Sequence, residues 1–241
     1  MDLPTTGIEG QPVPDWLPLF LQTGDALFPT GAYAHSLGFE EAVRLGLARD
    51  EASLCGFLRE HTVPGLAAFE LPFLRFARQA ALEDNFDDLA ELDAEVGASK
   101  LARETREASI QLGKRRLQSL RVILPDHPLL TGCERRVQDR VLAVHHVIVC
   151  GVQAAALGLP LEIALGTSFH QSIAAVGGAA LKLIRIGQDG VQRAVREAAK
   201  DAPGAVAWSL AVEREEAGWF DPLLEIASMR HERAGERLFI S

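Results

Sequence analysis

The sequence lacks the motifs that identify the commonest nucleotide-binding, hydrolytic and zinc sites. No GxxxxGK[ST] phosphate loop occurs, because Ala108 stands where the first glycine before Gly113 and Lys114 would be. No GxSxG nucleophile elbow and no HExxH zinc motif occur either. The sequence therefore predicts neither a P-loop nucleotidase nor the usual serine hydrolase or zinc protease site.

Cysteine and basic residues are both scarce. The three cysteines, Cys55, Cys133 and Cys150, form no CxxC pair and no disulfide framework, which suits a reducing cytosol and predicts a cytoplasmic protein. Lys and Arg total 24 against 33 Asp and Glu, so the net charge of -9 repels a phosphate backbone and predicts no nucleic-acid partner. The N-terminus has no basic segment followed by an apolar one, so we expect no secretory signal.

Two runs, residues 141–161 and 163–181, contain no formally charged residue and are long enough to span a bilayer. Both carry polar side chains, such as Gln153 in the first and Gln171 in the second, which favour a buried helical hairpin over a membrane hairpin. His145 and His146 are adjacent, so on a helix they point about 100° apart and do not chelate one metal together. We expect packed histidines in a soluble domain, with no membrane association.

Helical spacing dominates the chain, and no βαβ rhythm or convincing strand alternation occurs. We predict an all-α, single-domain bundle of about ten helices: a flexible leader at 1–13, the helical domain at 14–232 and a C-terminal tail at 233–241. Phe28–Gly31 has the residues of a type I turn, the segment 124–132 reads as a loop and 186–190 as a turn. Pro72 predicts a kink or break in its helix. The predicted helices cover residues 16–22, 32–45, 50–61, 64–84, 83–95, 100–121, 141–161, 163–181, 191–200, 205–216 and 223–232.

The two middle helices differ sharply in charge. Residues 83–95 are rich in Asp and Glu, and residues 100–121 are rich in Lys and Arg, opposed only by Glu104 and Glu107. Two interpretations stay open: a pair of solvated faces that attract each other, or a surface that steers a partner.

The stretch from Gly24 to Ala42 holds residue types that an enzyme would use. On a helix over 32–45, His35 and Ser36 diverge in direction, which makes a poor base–nucleophile pair. Asp25 is better explained as a turn or cap acceptor. Glu40 and Arg44 are four residues apart and predict a helix-surface pair.

Gly38 interrupts that predicted helix. A helix-interior glycine costs about 1 kcal/mol relative to alanine. Its presence therefore indicates a close backbone approach at this position.

The segment LFLQTGDALFPTGAYAHSLGFEEAVRLG resembles the N-terminal signature of the UreF family of urease accessory proteins. Three further segments resemble family motifs in the same order: SKLARETREASIQLGKRRL, LKLIRIGQDGVQRAV and MRHERAGERLFIS. Two positions depart from the pattern. Tyr33 stands where phenylalanine is commoner, and Ile240 stands where arginine is frequent, which puts an ionic role of that position in doubt.

The resemblance implies an all-helical, non-enzymatic scaffold of urease maturation. Family members bind a second accessory protein (UreH, also called UreD), recruit the nickel-binding GTPase UreG and dock on apo-urease, commonly as homodimers. It implies no directly bound cofactor, because nickel and GTP are carried by the partner GTPase.

The resemblance also selects the candidate partner-binding residues. From residue composition alone, the tail with its apolar residues is either packed on its own domain or a binding segment, and the resemblance favours binding. Basic residues of the middle helix are candidates for a GTPase-facing surface. The candidates are Asp25, Pro29, Gly31, Tyr33, His35, Ser36, Glu40, Arg103, Arg106, Arg116, Gln188, His231, Glu232, Arg237, Leu238 and Phe239.

Two other functions stay open from the sequence. One is a helical enzyme with a small-molecule pocket that uses His35, Ser36 or His170, for which an enclosed pocket and a shifted histidine pKa would speak. The other is direct nickel binding by the chain itself.

Overall fold

Helices make up nearly all of the regular structure of the chain. The computed structural model describes residues 13–25, 27–31, 35–36 and 38–240, and no strand occurs in these ranges, which confirms the predicted all-α fold. The α-helices, in chain order, are α1 (Trp16–Gly24), α2 (Phe39–Arg44), α3 (Glu51–Phe57), α4 (Val63–Gly65), α5 (Leu71–Leu82), α6 (Phe86–Ser99), α7 (Arg103–Ile123), α8 (Pro128–Gln138), α9 (His146–Ala156), α10 (Leu161–Leu183), α11 (Gln188–Ala199), α12 (Ala202–Ala211) and α13 (Pro222–His231).

One helical rod runs from residue 51 to residue 82 and carries two prolines. It begins at a capping box in which the Asp50 carboxylate accepts from the Ser53 amide at 2.9 Å. Two π-helical segments, Leu58–Thr62 and Leu66–Glu70, join α3, α4 and α5 without a gap. Pro64 and Pro72 each follow a π segment, where the α-helical hydrogen-bond ladder is already interrupted. The helix therefore accommodates Pro72 beside a local π-helical distortion and continues without a break to residue 82.

The core is organised around α9, which packs closely on α5 and α7. A side chain at Gly151 of α9 would stand 2.6 Å from the Leu74 carbonyl oxygen and 2.7 Å from the Ala77 Cβ, so only glycine permits this separation. The first uncharged run therefore forms a buried helix, but α9 covers only His146–Ala156 of the predicted 141–161. No helix in the described ranges is both long and apolar enough to cross a membrane.

The N-terminus of α9 is held by a buried aspartate from α6. Asp93, 2% exposed, accepts from the amides of Ala143 (2.6 Å), Val144 (2.9 Å) and His145 (2.7 Å). The Ser109 hydroxyl lies 3.1 Å from His145 Nδ1 and accepts from the His146 amide. The two adjacent histidines are thus part of the packing at the start of α9.

Several local predictions were wrong. Residues 128–138 form α8, with Pro128 in its first turn, where a loop was predicted up to residue 132. α11 begins at Gln188, so the turn predicted over 186–190 ends earlier. At residues 28–30 the hydrogen bond runs from the Thr30 amide to the Phe28 carbonyl (2.8 Å), which closes a three-residue turn instead of the predicted type I turn.

The first of the two interpretations of the acidic and basic middle helices, a pair of faces that attract each other, is not found in the described chain. Acidic side chains of α6 pair with Arg214 in a 3-10 turn, namely Asp88 at 2.6 Å and Glu95 at 2.5 Å. Lys100, at the end of α6, pairs with Glu70 at 2.7 Å. The acidic charge of α6 is therefore balanced from elsewhere in the chain.

Candidate docking site around the C-terminal segment

The carboxylate of Glu40 on α2 holds the C-terminal segment in place. It is 3% exposed and accepts from the backbone amides of Leu238 (3.0 Å) and Phe239 (3.0 Å). Burial by itself would raise the pKa of Glu40, but the hydrogen bonds from the Leu238 amide, His231 and the Phe239 amide outweigh it and lower the pKa. Glu40 is therefore ionised at neutral pH and acts as an acceptor only.

His231 on α13 lies between two carboxylates and is fully buried. Its Nε2 is 3.0 Å from Glu40 Oε2, and its Nδ1 is 2.9 Å from Glu104 Oε2 on α7. Arg237 donates to the other oxygen of Glu104 at 3.0 Å. We call Glu40, Glu104, His231 and Arg237 the carboxylate–histidine cluster; it joins α2, α7, α13 and the C-terminal segment.

The C-terminal segment presents one apolar side chain inward and two outward. Phe239 is 6% exposed, with the Lys182 Nζ of α10 5.0 Å from its ring centroid. Leu238 and Ile240 are 71% and 58% exposed. The segment is thus packed on its own domain through Phe239, while its two neighbours form an apolar edge at the surface.

A polar cleft of about 240 Å³ opens beside the cluster. Arg103, on its wall, donates through Nε to Glu232 at 3.0 Å and remains 61% exposed. Burial lowers the pKa of His35, and the nearby Glu104 carboxylate offsets this only in part. The lining residues are His35, Arg103, Glu104, Glu107, Ala108, Gln111, Glu232, Arg237 and Ile240.

The start of α2 differs from the predicted helix over 32–45, because α2 begins only at Phe39. Gly38 precedes it with φ +86°, and a side chain there would stand 2.7 Å from the Ser228 hydroxyl of α13. The predicted close approach is confirmed, although Gly38 caps the helix and does not interrupt it. The Ser36 hydroxyl accepts from the Glu40 amide at 3.3 Å.

The residues of the enzyme alternative do not converge in one pocket. His35 lines the cleft, whereas Ser36 is not among its lining residues. His170 lies exposed on α10, which contributes no residue to the cleft. Residues 35 and 36 are not helical, so the directions predicted for His35 and Ser36 on a helix over 32–45 do not apply. Both residues lie in the non-helical segment before α2.

Several other candidate residues lie near the N-terminal end of the described chain. The Asp25 carboxylate accepts from the Leu27 amide at 2.7 Å, which confirms its predicted role in a turn. The Pro29 carbonyl accepts from Arg115 Nε at 3.0 Å, and Gly31 has φ +81°. Tyr33 lies outside the described residues.

The three arginines predicted to face a GTPase have different environments. Arg103 is exposed in the cleft. Arg106 donates to the Lys100 carbonyl at 2.8 Å and closes the connection before α7. Arg116 is only 7% exposed, so its assignment to a partner-facing surface is corrected: its guanidinium lies inside the domain. Gln188 is the exposed first residue of α11 and does not line the cleft.

The sequence did not single out two residues that shape this site. The side chain of Glu104 is 10% exposed and bridges His231 to Arg237. Its position as an acidic residue in a mainly basic helix could have indicated such a role. Glu41 is also buried and pairs with Arg230 of α13 at 3.0 Å. Among the described residues, no group of three or more His, Cys, Asp or Glu side chains is arranged to hold a metal ion.

The fold and the site define an all-α protein with a polar cleft beside a docked C-terminal segment. Residues 48–199 match the family model of UreF. The chain is 34% identical over 220 residues to the urease accessory protein UreF of Paenarthrobacter aurescens strain TC1, covering 91% of this chain and 96% of that protein. It is 34% identical over 220 residues to the protein of the same name from Arthrobacter sp. strain FB24 (91% and 95% covered) and 31% identical over 220 residues to that from Bacillus sp. strain TB-90 (91% and 96% covered). The chain therefore belongs to the UreF family of urease accessory proteins, which confirms the resemblance.

Proposed function

We propose that the chain is a non-enzymatic adaptor of urease maturation in the cytoplasm. In this proposal it binds a UreH/UreD-type accessory protein, recruits a UreG-type GTPase as a homodimer and assists nickel insertion into apo-urease. Nickel and GTP are carried by the GTPase. The name of its relatives, urease accessory protein, supports the general role.

The observation that carries the docking part is the anchored C-terminal segment. Two backbone amides bind the Glu40 carboxylate and Phe239 is buried, so Leu238 and Ile240 are held outward on a fixed backbone. A preorganised apolar edge loses less conformational entropy on binding than a free tail does. We assign this edge to the UreH/UreD-type partner, with residues 233–241 as the binding segment.

The cleft side of the same surface is assigned to the GTPase. Arg103 is 61% exposed there, and its guanidinium pairs with Glu232 and, at 3.7 Å, with Glu107. Exposed charges of this kind steer association and set orientation more than they add affinity. This part of the proposal retains Arg103 and leaves out the buried Arg116.

A double substitution, Leu238→Asp with Ile240→Asp, tests the docking edge. It places two charges on the edge and leaves the Glu40 contacts and Phe239 intact, so the fold should persist by circular dichroism. Burying an unpaired carboxylate in an interface costs several kcal/mol. We expect co-purification with the UreH/UreD-type partner to fall at least tenfold.

The matched control is Val122→Asp, which places the same charge on a side chain that is 80% exposed. Val122 lies at the other end of α7 from Arg103, about 28 Å along the helix axis. Its co-purification should equal that of the unmodified chain. Retention of the partner by the double variant would assign the interface to another surface.

A further inference from the structure

Among the described residues, no carboxylate forms an ion pair with the buried guanidinium group of Arg116. Arg116 is 7% exposed on α7, and its Nη1 donates to Gln153 Oε1 of α9 at 2.6 Å. Its Nε is buried and has no hydrogen-bond partner within the part of the chain that the structure describes. An unpaired buried charge is highly unfavourable, so this arrangement calls for a neutralising group.

The neighbouring side chains do not supply a negative charge. Burial raises the pKa of the Cys150 thiol, so that thiol stays neutral. The centroid of the Phe28 ring is 5.9 Å from Arg116 Cζ, at the outer limit of a cation–π contact. Gln153 offers one amide oxygen, and its amide nitrogen donates to Thr23 Oγ1 at 2.9 Å.

A small cavity of about 30 Å³ lies against this guanidinium, between α1, α7, α9 and α10. A water molecule needs at least about 10–15 Å³ measured in this way, so the cavity accommodates one small ion or one to two waters. Its polar lining combines the guanidinium, which only donates, with hydroxyl and amide groups that can donate as well as accept. These side chains are Thr23, Arg116, Gln153, Thr167, Ser168 and Gln171.

We propose that this cavity binds one small monovalent anion, with chloride as the physiological example. Arg116 supplies the charge, and the hydroxyl and amide groups of Thr167, Ser168 and Gln171 supply donors from one face of α10. The anion neutralises the buried guanidinium and ties α1, which leads into the N-terminal signature, to α7 and α10. This proposal is independent of the docking partners proposed above.

The test measures urea unfolding of the full chain in sodium chloride, sodium bromide and sodium gluconate at one ionic strength and pH. Gluconate is too large for the cavity and supplies only general screening. Binding to the folded state alone lowers the unfolding equilibrium constant by the factor 1 + [anion]/Kd. Above Kd, each tenfold rise in chloride or bromide should therefore lower that constant about tenfold.

Two variants separate the site from other basic groups. Arg116→Met replaces the guanidinium by an apolar side chain of similar length and should abolish the difference between halide and gluconate. Arg115→Gln changes the neighbouring, exposed arginine and should retain it. Equal midpoints for the unmodified chain in all three salts would overturn the proposal.

Crystals grown in bromide provide a second measurement that does not depend on variant stability. The expected result is an anomalous peak in the cavity within hydrogen-bond distance of Arg116 Nε. Ordered water without an anomalous peak at that position would overturn the anion assignment.

Discussion

Glu40 makes contacts both within its own helix and with distant parts of the chain. Its carboxylate pairs at 3.2 Å with Arg44, one helical turn further along the chain, as residues on a helix surface do. The same carboxylate is nevertheless 3% exposed, because its other contacts come from His231 and the C-terminal segment. A buried carboxylate is tolerated only when its lone pairs are occupied by donors, and here two amides, an imidazole and a guanidinium occupy them.

Glu40→Gln tests the role of this carboxylate in holding the C-terminal segment. The amide keeps one acceptor oxygen but loses the charge that faces His231 and the two backbone amides. Hydrogen bonds to a charged group contribute about 1.5–3 kcal/mol each, more than those to a neutral amide. We expect hydrogen exchange at the Leu238 and Phe239 amides to accelerate at least tenfold while the helical content is retained.

Glu41→Gln is the matched control, because Glu41 is also buried but pairs with Arg230 and Arg44 instead of the C-terminal segment. Exchange at residues 238 and 239 should stay slow in this variant. Equal protection of the two amides in both variants would show that the other contacts of the segment, such as Phe239 packing and the Arg237–Glu104 pair, hold it without the Glu40 charge.

At the scale of elements, glycine positions set how closely the helices approach. In α9 a side chain at Gly151 would meet α5 at three atoms, including Arg78 N at 2.8 Å. Gly113 of α7 likewise allows a close approach to the start of α9, because a side chain there would overlap the Val144 carbonyl oxygen. These contacts explain why an element as short as α9 packs against two longer helices.

Gly151→Ala should destabilise the protein, because the added methyl group must push α9 away from α5. Overpacking of this kind typically costs about 1–3 kcal/mol. Gly166→Ala in α10 is the matched control, since nothing lies within 4 Å of the added atom. The control should gain up to about 1 kcal/mol from helix propensity. Shifts of the urea midpoint in the same direction for both variants, relative to the unmodified chain, would contradict this account of the α5–α9 packing.

The existence of most helices could be predicted from the sequence because apolar spacing is local. Two of the wrong predictions, the start of α2 and the loop at residues 124–132, had non-local or ambiguous causes. The late start of α2 depends on Gly38 meeting Ser228, which is 190 residues away in the chain. α8 was interpreted as a loop because of its proline and glycine, yet Pro128 suits a first helical turn and Gly132 faces the Phe86 ring.

The candidate site was predictable only in part, for the same reason. The resemblance selected Glu40, His231 and Arg237, which the structure brings together. Spacing alone found only the local Glu40–Arg44 pair, because Glu40 and His231 are 191 residues apart. Arg116 was assigned to the surface because a charged residue in a basic helix is usually solvated, whereas its neighbours here bury it.

At the scale of the whole molecule, acidic and basic groups respond to pH in opposite ways. The chain carries a net charge of -9 at pH 7, so mild acid first reduces its self-repulsion. Buried histidines act in the other direction. Burial lowers the pKa of His35 and His145, and it lowers that of His146 to about 3.

These histidines predict a loss of stability as the pH falls below about 6.5. In the unfolded chain they take up protons near 6.5, while in the folded protein they stay neutral to lower pH. The unfolded state thus binds more protons in this window, and the free energy of unfolding decreases by up to about 1.4 kcal/mol per pH unit for each group. Above pH 6.5 the histidines contribute their full stabilisation. Carboxylates with a lowered pKa, such as Glu40, lower the free energy of unfolding further only below about pH 4.5.

His146→Gln isolates one of these groups, because glutamine does not titrate. Urea unfolding between pH 7.5 and 5 should give a shallower decline of the free energy of unfolding than in the unmodified chain, with the difference growing as the pH falls. His170→Gln removes a histidine from an exposed position of α10 and serves as the matched control for the substitution itself. Because self-repulsion is nearly the same in all three proteins, the difference in slope reports the His146 imidazole alone. Identical slopes for the three would mean that His146 is protonated as readily in the folded chain as in the unfolded one.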